Sequence, residues 1–165
     1  MSQREGLTFS TPIESDAAPL NHLIADVLAA APHTRCFRDP TRGGLASTLN
    51  EFAQASSVLI AVDEEAIPVK PAVRGACGML GYDVLQVANE GKMVAVVPAE
   101  EAEAALAAMR ASRYGENAAI IGEIAALPDG SSQPASTTGS VRVRTPWGST
   151  RILDMLVGEQ LPRIC

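Results

Sequence analysis

The chain has 165 residues, with 13 Lys and Arg against 19 Asp and Glu, a formal charge of -6; the length suits one domain with a substantial core, and the charge argues against an electrostatic grip on nucleic acid or anionic lipid. Hydrophobic residues make up 47%, which excludes a disordered chain, yet no apolar run approaches the roughly 20 residues of a membrane span. Met1 to Gly6 carries two charges and no apolar stretch, so no secretory signal is read and the cytoplasm is the expected compartment.

Leu7-Thr8-Phe9-Ser10-Thr11-Pro12-Ile13 alternates like a strand, and its proline confines it to an edge. Leu20, Leu23, Ile24, Val27 and Leu28 recur at helical spacing behind Pro19, predicting a helix over 20–30. A short strand is expected over 34–38. The turn cluster Asp39-Pro40-Thr41-Arg42-Gly43-Gly44 comes next, and Leu45, Leu49, Phe52 and Ala53 predict an amphipathic helix that ends near Ser57. Val58-Leu59-Ile60-Ala61-Val62 predicts an interior strand covered on both faces. A second helix is expected from Pro71 to about Leu80, broken by Gly78 and Gly81.

Beyond the bend Asn89-Glu90-Gly91, the run Met93-Val94-Ala95-Val96-Val97 reads as another buried strand, closed by Pro98. Residues 99–111 read as an alanine-rich helix, with Glu100, Glu101 and Glu103 early and Arg110 and Arg113 at its end, as the macrodipole favours. A strand over 118–124 and a mobile loop over 127–140, rich in Pro, Gly, Ser and Thr, are expected to follow. Val141 to Arg144 then enters a hairpin that turns at Pro146-Trp147-Gly148, with Trp147 packing at its tip, and returns through Arg151-Ile152-Leu153. Alternating helices and strands with an antiparallel close predict an α/β (α+β) sandwich, a mixed sheet flanked by helices, over 1–157. Residues 158–165 are expected to form a mobile tail.

Three features of this chain offer chemistry. A glycine pair at a helix start lets backbone N–H groups approach an anion; at Asp39 to Gly44, Thr41 could donate a hydroxyl, Arg42 could pair with phosphate, and Asp39 could hold magnesium between phosphates. Equally, Asp39 could simply cap the helix, with Gly43 and Gly44 serving a tight turn. The bend Asn89-Glu90-Gly91, pinned between apolar segments, is where a carboxylate can be partly desolvated and accept a proton, although the plain turn reading is stronger for the bend alone. Cys36, Cys77 and Cys165 form neither a disulfide framework nor, with only two histidines, a zinc site. Cys36 and Cys77 read as small buried hydrophobes, whereas Cys165 is the last residue, where a thiol reaches furthest. The acidic run Asp63-Glu64-Glu65 and the carboxylates of 100–103 read as solvated surface.

Arg4-Glu5-Gly6-Leu7, Pro12-Ile13-Glu14-Ser15-Asp16, Arg38-Asp39-Pro40-Thr41-Arg42-Gly43-Gly44-Leu45-Ala46, Val73-Arg74-Gly75-Ala76-Cys77, Val87-Ala88-Asn89-Glu90-Gly91-Lys92 and Pro162-Arg163-Ile164-Cys165 together resemble the HypE family of hydrogenase maturation proteins. That family is built like the aminoimidazole ribonucleotide synthetase (PurM) superfamily, and the resemblance covers only its C-terminal half. It implies a PurM C-terminal-domain-like fold and a task in making the cyanide ligands of [NiFe] hydrogenase iron. In the family, HypF places a carbamoyl group on the terminal thiol, and ATP drives its dehydration to a thiocyanate that passes to the HypC and HypD scaffold. Carried over by motif, Cys165 is the carrier, Glu90 the base, and Asp39, Thr41, Arg42, Gly43 and Gly44 part of an ATP and Mg2+ site that the missing N-terminal domain would complete. The resemblance also implies a homodimer for the full-length protein. The stretch 127–140 is longer than expected for the family.

Two other functions compete. One is a non-catalytic platform that binds HypF or the scaffold; the other is a selenophosphate or ribonucleotide synthetase, against which the terminal cysteine argues.

Overall fold

The computed structural model describes residues 15–127 and 139–155. The proline-containing strand expected at 7–13, most of the loop at 127–140, the 157/158 boundary and the tail with Cys165 lie outside the described residues. Helix α1 (Asn21–Ala30) buries Leu23 and Val27. Helix α2 (Gly44–Ser56) starts behind Gly43 and stops at Ser57, both with left-handed backbone, and buries Ala46, Leu49 and Ala53. Helix α3 (Pro71–Leu80) begins on its proline and runs unbroken through Gly78, contrary to expectation. A glycine there weakens helix propensity but keeps every backbone hydrogen bond; the stop is Gly81, whose left-handed φ of 71° ends the helix. The last helix divides into a 3-10 turn, Ala99–Glu101, and α4 (Ala102–Ala111).

The strands form two sheets. A mixed sheet has the order β4 (Gly122–Ala126), β2 (Val58–Asp63), β5 (Ser140–Arg144), β6 (Thr150–Ile152), with β2 and β5 parallel and the other pairs antiparallel. Among the described residues the short strands β1 (Cys36–Arg38) and β3 (Val94–Val96) pair with each other alone, Cys36 opposite Val96 and Arg38 opposite Val94. β2 is interior, as its apolar run predicts, but only Ile60 and Val62 are buried. Its other face carries Leu59, Ala61 and Asp63, which are half-buried because no described helix covers that side. β3 is likewise half-buried rather than fully buried. The strand expected over 118–124 lies at Gly122–Ala126 and is exposed along its length, as befits an edge. The hairpin of β5 and β6 forms as expected, but Trp147, in the turn beyond the last pair Arg144–Thr150, is 90% exposed among the described residues rather than packed.

Two hydrophobic clusters hold these parts. In one, α2 seats Ala46, Leu49 and Ala53 on Ile60, Val62, Val141 and Val143, with Leu85 and Leu153 closing the ends. In the other, α1 and α4 bring Leu23, Val27 and Ala105 together against Phe37, Met93 and Val97 from the β1–β3 ribbon. The buried Asn50 spends its amide on two carbonyls, Ala46 at 2.9 Å and Leu153 at 2.7 Å, tying α2 to the end of the hairpin. The acidic residues set aside as solvated surface are partly structural. Glu64 and Asp83 flank Arg151 at 3.7 and 3.4 Å. Glu101 accepts both the backbone N–H and the ring Nδ1–H of His33, whose hydrogen bond holds the Glu101 carboxyl below its usual range.

Asp63 and Arg144, opposite each other at the end of the parallel pair, form an ion pair that depresses the Asp63 carboxyl below its usual value of 3.8. A depressed folded-state pKa contributes stability above that value and loses it as the pH falls through the folded value. Arg144→Ala is therefore expected to lower the melting temperature slightly near neutral pH, with the gap from the parent closing as the solution is acidified below pH 3.8. Thermal scans across pH check this; salt should shrink the gap too.

Candidate functional site

The turn after β1 and the bend before β3 fold against one another. Asn89 N–H donates to the Pro40 carbonyl at 3.0 Å, joining Asp39-Pro40-Thr41 to Asn89-Glu90-Gly91 through the backbone. Inside the turn, Gly44 N–H donates to Thr41 O at 3.1 Å and turns the chain into α2. Gly43 and Gly44 have φ of 72° and 61°, the left-handed region that glycine enters without strain. At Gly44 the requirement is doubled, since a Cβ would lie 2.5 Å from Val87 O and 2.7 Å from Leu85 O. The helix start is thus pressed directly on the main chain that leads to Glu90.

The N-cap of α2 is Gly43, and no side chain caps the helix. Asp39 is therefore not a helix cap: Gly44 N–H is taken by Thr41 O, and among the described residues no side chain caps the N–H groups that follow it. The Asp39 side chain is 63% exposed, 3.7 Å from the Arg38 guanidinium. Pro40 and Gly44 are buried, Thr41 is half-buried and Arg42 is exposed. An uncapped 13-residue helix with a hydroxyl, a guanidinium and a carboxylate around its start can receive a phosphate and, through Asp39, a hard cation bridging to it. Among the described residues no group of three His, Cys, Asp or Glu side chains gathers to hold a metal. One carboxylate nevertheless suits magnesium, which takes most of its ligands from phosphate and water.

At the bend, Asn89 Nδ2 donates to Val87 O at 2.8 Å and Lys92 Nζ donates to Asn89 Oδ1 at 3.0 Å. Glu90 is exposed, so the described residues do not supply the partial desolvation expected of it. A contact that the spacing gave no reason to expect comes from the segment before α1: Glu90 N–H donates to Asp16 Oδ2 at 3.0 Å. The signal available in the sequence was the cluster Glu14-Ser15-Asp16, which marks a polar segment but not its partner. Cys77 is buried and Cys36 half-buried. Desolvation pushes both thiols up, at Cys36 against a backbone hydrogen bond from Val96 and at Cys77 with help from the Asp83 charge.

Comparison with known proteins places the chain in a family. The family described as AIR synthase related protein, C-terminal domain, matches residues 1–133. The chain belongs to this family. Within the AIR synthase related proteins, several of its relatives carry the name carbamoyl dehydratase HypE. The carbamoyl dehydratase HypE of Rhodobacter capsulatus is 51% identical over 165 residues, all of this chain and 46% of the relative. A crystal structure of hydrogenase maturation protein HypE in complex with ATP superposes with a TM-score of 0.89 at 44% identity, covering 99% of this chain and 48% of that one. A HypE–HypF complex matches with a TM-score of 0.82 at 42% identity, over 94% of this chain and 47% of the other. The chain thus spans about half the length of the relatives it matches and corresponds to their C-terminal part. The fold of an AIR synthase related C-terminal domain agrees with the mixed sheet and helices expected from the sequence.

Proposed function

We propose that this chain is the C-terminal half of an ATP-dependent carbamoyl dehydratase that makes a thiocyanate on its own terminal cysteine and supplies cyanide ligands for [NiFe] hydrogenase iron. The observation that most supports the reading is the Asn89–Pro40 hydrogen bond, which holds the phosphate-type turn and the carboxylate bend together as one wall of a site. The ATP complex and the HypF complex of HypE proteins support the choice of nucleotide and of carbamoyl donor. HypC and HypD as recipients, a homodimer and a cytoplasmic location complete the proposal; among the described residues no helix is long and apolar enough to cross a membrane.

Cys165 carries the carbamoyl group as a thiocarboxamide. Its amide oxygen attacks the γ-phosphate and ADP leaves; the oxygen then departs with phosphate, and the nitrogen gives up two protons as the C≡N bond forms. Glu90 accepts one proton from that nitrogen and the departing phosphate takes the other, while the start of α2 with Thr41 and Arg42 steadies the phosphate. Asp39 would hold magnesium at the phosphates, where the cation offsets their charge. The exposure of Asp39 and Glu90 favours a second reading for the isolated half, a platform that binds HypF without chemistry until the other half closes the site.

The full-length protein, incubated with HypF, carbamoyl phosphate and ATP, tests both. Intact mass should rise by a carbamoyl group and then fall by one water; a mass that stops at the carbamoyl adduct with ATP present refutes the dehydratase reading. In the same assay Asp39→Asn is expected to raise the Mg-ATP concentration for half-maximal turnover about tenfold or more, or about 1.4 kcal/mol. Carbamoylation should proceed as in the parent. Unchanged ATP consumption would remove Asp39 from the site.

A further inference from the structure

Two consecutive N–H groups of the bend are held by two unrelated segments. Asn89 N–H is taken by Pro40 O and Glu90 N–H by Asp16 Oδ2, both at 3.0 Å. The second contact spans 74 positions of sequence. Asp16 also meets the next residue through its main chain: a Cβ on Gly91 would lie 2.0 Å from Asp16 O and 2.5 Å from Ala18 N. Gly91 has a φ of 56°, so it is a glycine both for its backbone angle and for the closeness of this segment. Ser15 Oγ accepts the N–H of Ala17 at 3.3 Å and closes a local turn around Asp16. A charged acceptor makes the stronger kind of hydrogen bond to an N–H. The Asn89 N–H belongs to the peptide plane before Asn89 and the Glu90 N–H to the plane after it, so both planes that lead into Glu90 are anchored and the direction from which its side chain leaves the backbone is restricted.

We propose that Asp16 is a positioning residue for Glu90, fixing from the opposite side to Pro40 the bend on which that carboxylate is carried. The inference rests on the reading of Glu90 as the proton acceptor. Displacing a reacting group by about 1 Å is enough to cost about a hundredfold in rate, and Asp16 does this work without touching substrate.

The test uses the full-length protein with Asp16→Ala, Asp16→Asn and Glu90→Gln compared in the dehydration step. Asp16→Ala should lower kcat between about tenfold and a hundredfold, with KM for ATP and carbamoylation of the tail unchanged. Asp16→Asn, which keeps an acceptor oxygen, should recover most of the loss. Amide exchange supplies a readout independent of activity: the Glu90 N–H should exchange faster in the alanine variant and slowly in the asparagine one. Asp16→Ala added to Glu90→Gln should slow the reaction no further. A wild-type kcat for Asp16→Ala beside a slow Glu90→Gln overturns the role of Asp16 alone. A wild-type rate for Glu90→Gln overturns the base assignment, and the positioning role with it. A raised KM for ATP at unchanged kcat would assign Asp16 to nucleotide binding instead.

Discussion

Cys165→Ala in the full-length protein is expected to take up no carbamoyl group from HypF, a complete loss read directly from intact mass. The thiolate is the nucleophile in such a transfer, and no hydroxyl or methyl replaces it. The chain has three cysteines, and burial raises the pKa of two of them, Cys36 and Cys77, which keeps them protonated at neutral pH. Carbamoyl mass on Cys36 or Cys77, or on the alanine variant, would end the reading of this protein as its own nitrile carrier.

Gly44→Ala is expected to be the most damaging small substitution in the site. Its φ of 61° costs a side-chain-bearing residue about 1–2 kcal/mol. The new methyl would also sit 2.5 Å from Val87 O and 2.9 Å from the Gln86 carbonyl carbon, main-chain atoms that cannot rotate away. Relief requires α2 to lift from the Val84–Gln86 turn, which pulls Leu49 and Leu85 out of register in a shared core. A total of about 3 kcal/mol or more is expected, lowering the melting temperature by about 6–12 °C in a chain of this size. Gly78→Ala is the control: a Cβ there meets nothing within 4 Å, and helix propensity alone predicts a neutral or stabilising change.

Helices were legible in this sequence because their apolar stripes repeat over ten or more residues, and only their interruptions were misread. Gly78 does not break α3, since loss of a Cβ is not loss of a hydrogen bond. Strands were less legible. A five-residue apolar run such as Val58-Leu59-Ile60-Ala61-Val62 shows that a strand is central but not how many of its faces are covered, and Gly122–Ala126 lacks an alternation that would fix its start. The elements of the proposed site were named correctly as a turn and a bend, whereas their union was hidden. The bond from Asn89 N–H to Pro40 O and the one from Glu90 N–H to Asp16 are long-range, and periodicity carries no information about pairs 49 and 74 residues apart. Trp147 was misjudged for the same reason, since a hairpin tip packs only if something reaches it.

The link between Pro40 and Asn89 is made wholly of main-chain atoms. Any residue except proline at position 89 offers the same N–H, and any residue at position 40 the same carbonyl, so substitution of either partner leaves the donor and acceptor in place. What has to be inherited is the room for the two segments to meet, and that is recorded at Gly44, pressed on the main chain of Leu85 to Val87, by the absence of an atom. A lineage can therefore rewrite the side chains at both positions and still transmit the joint. The vulnerable inheritance is one missing methyl group.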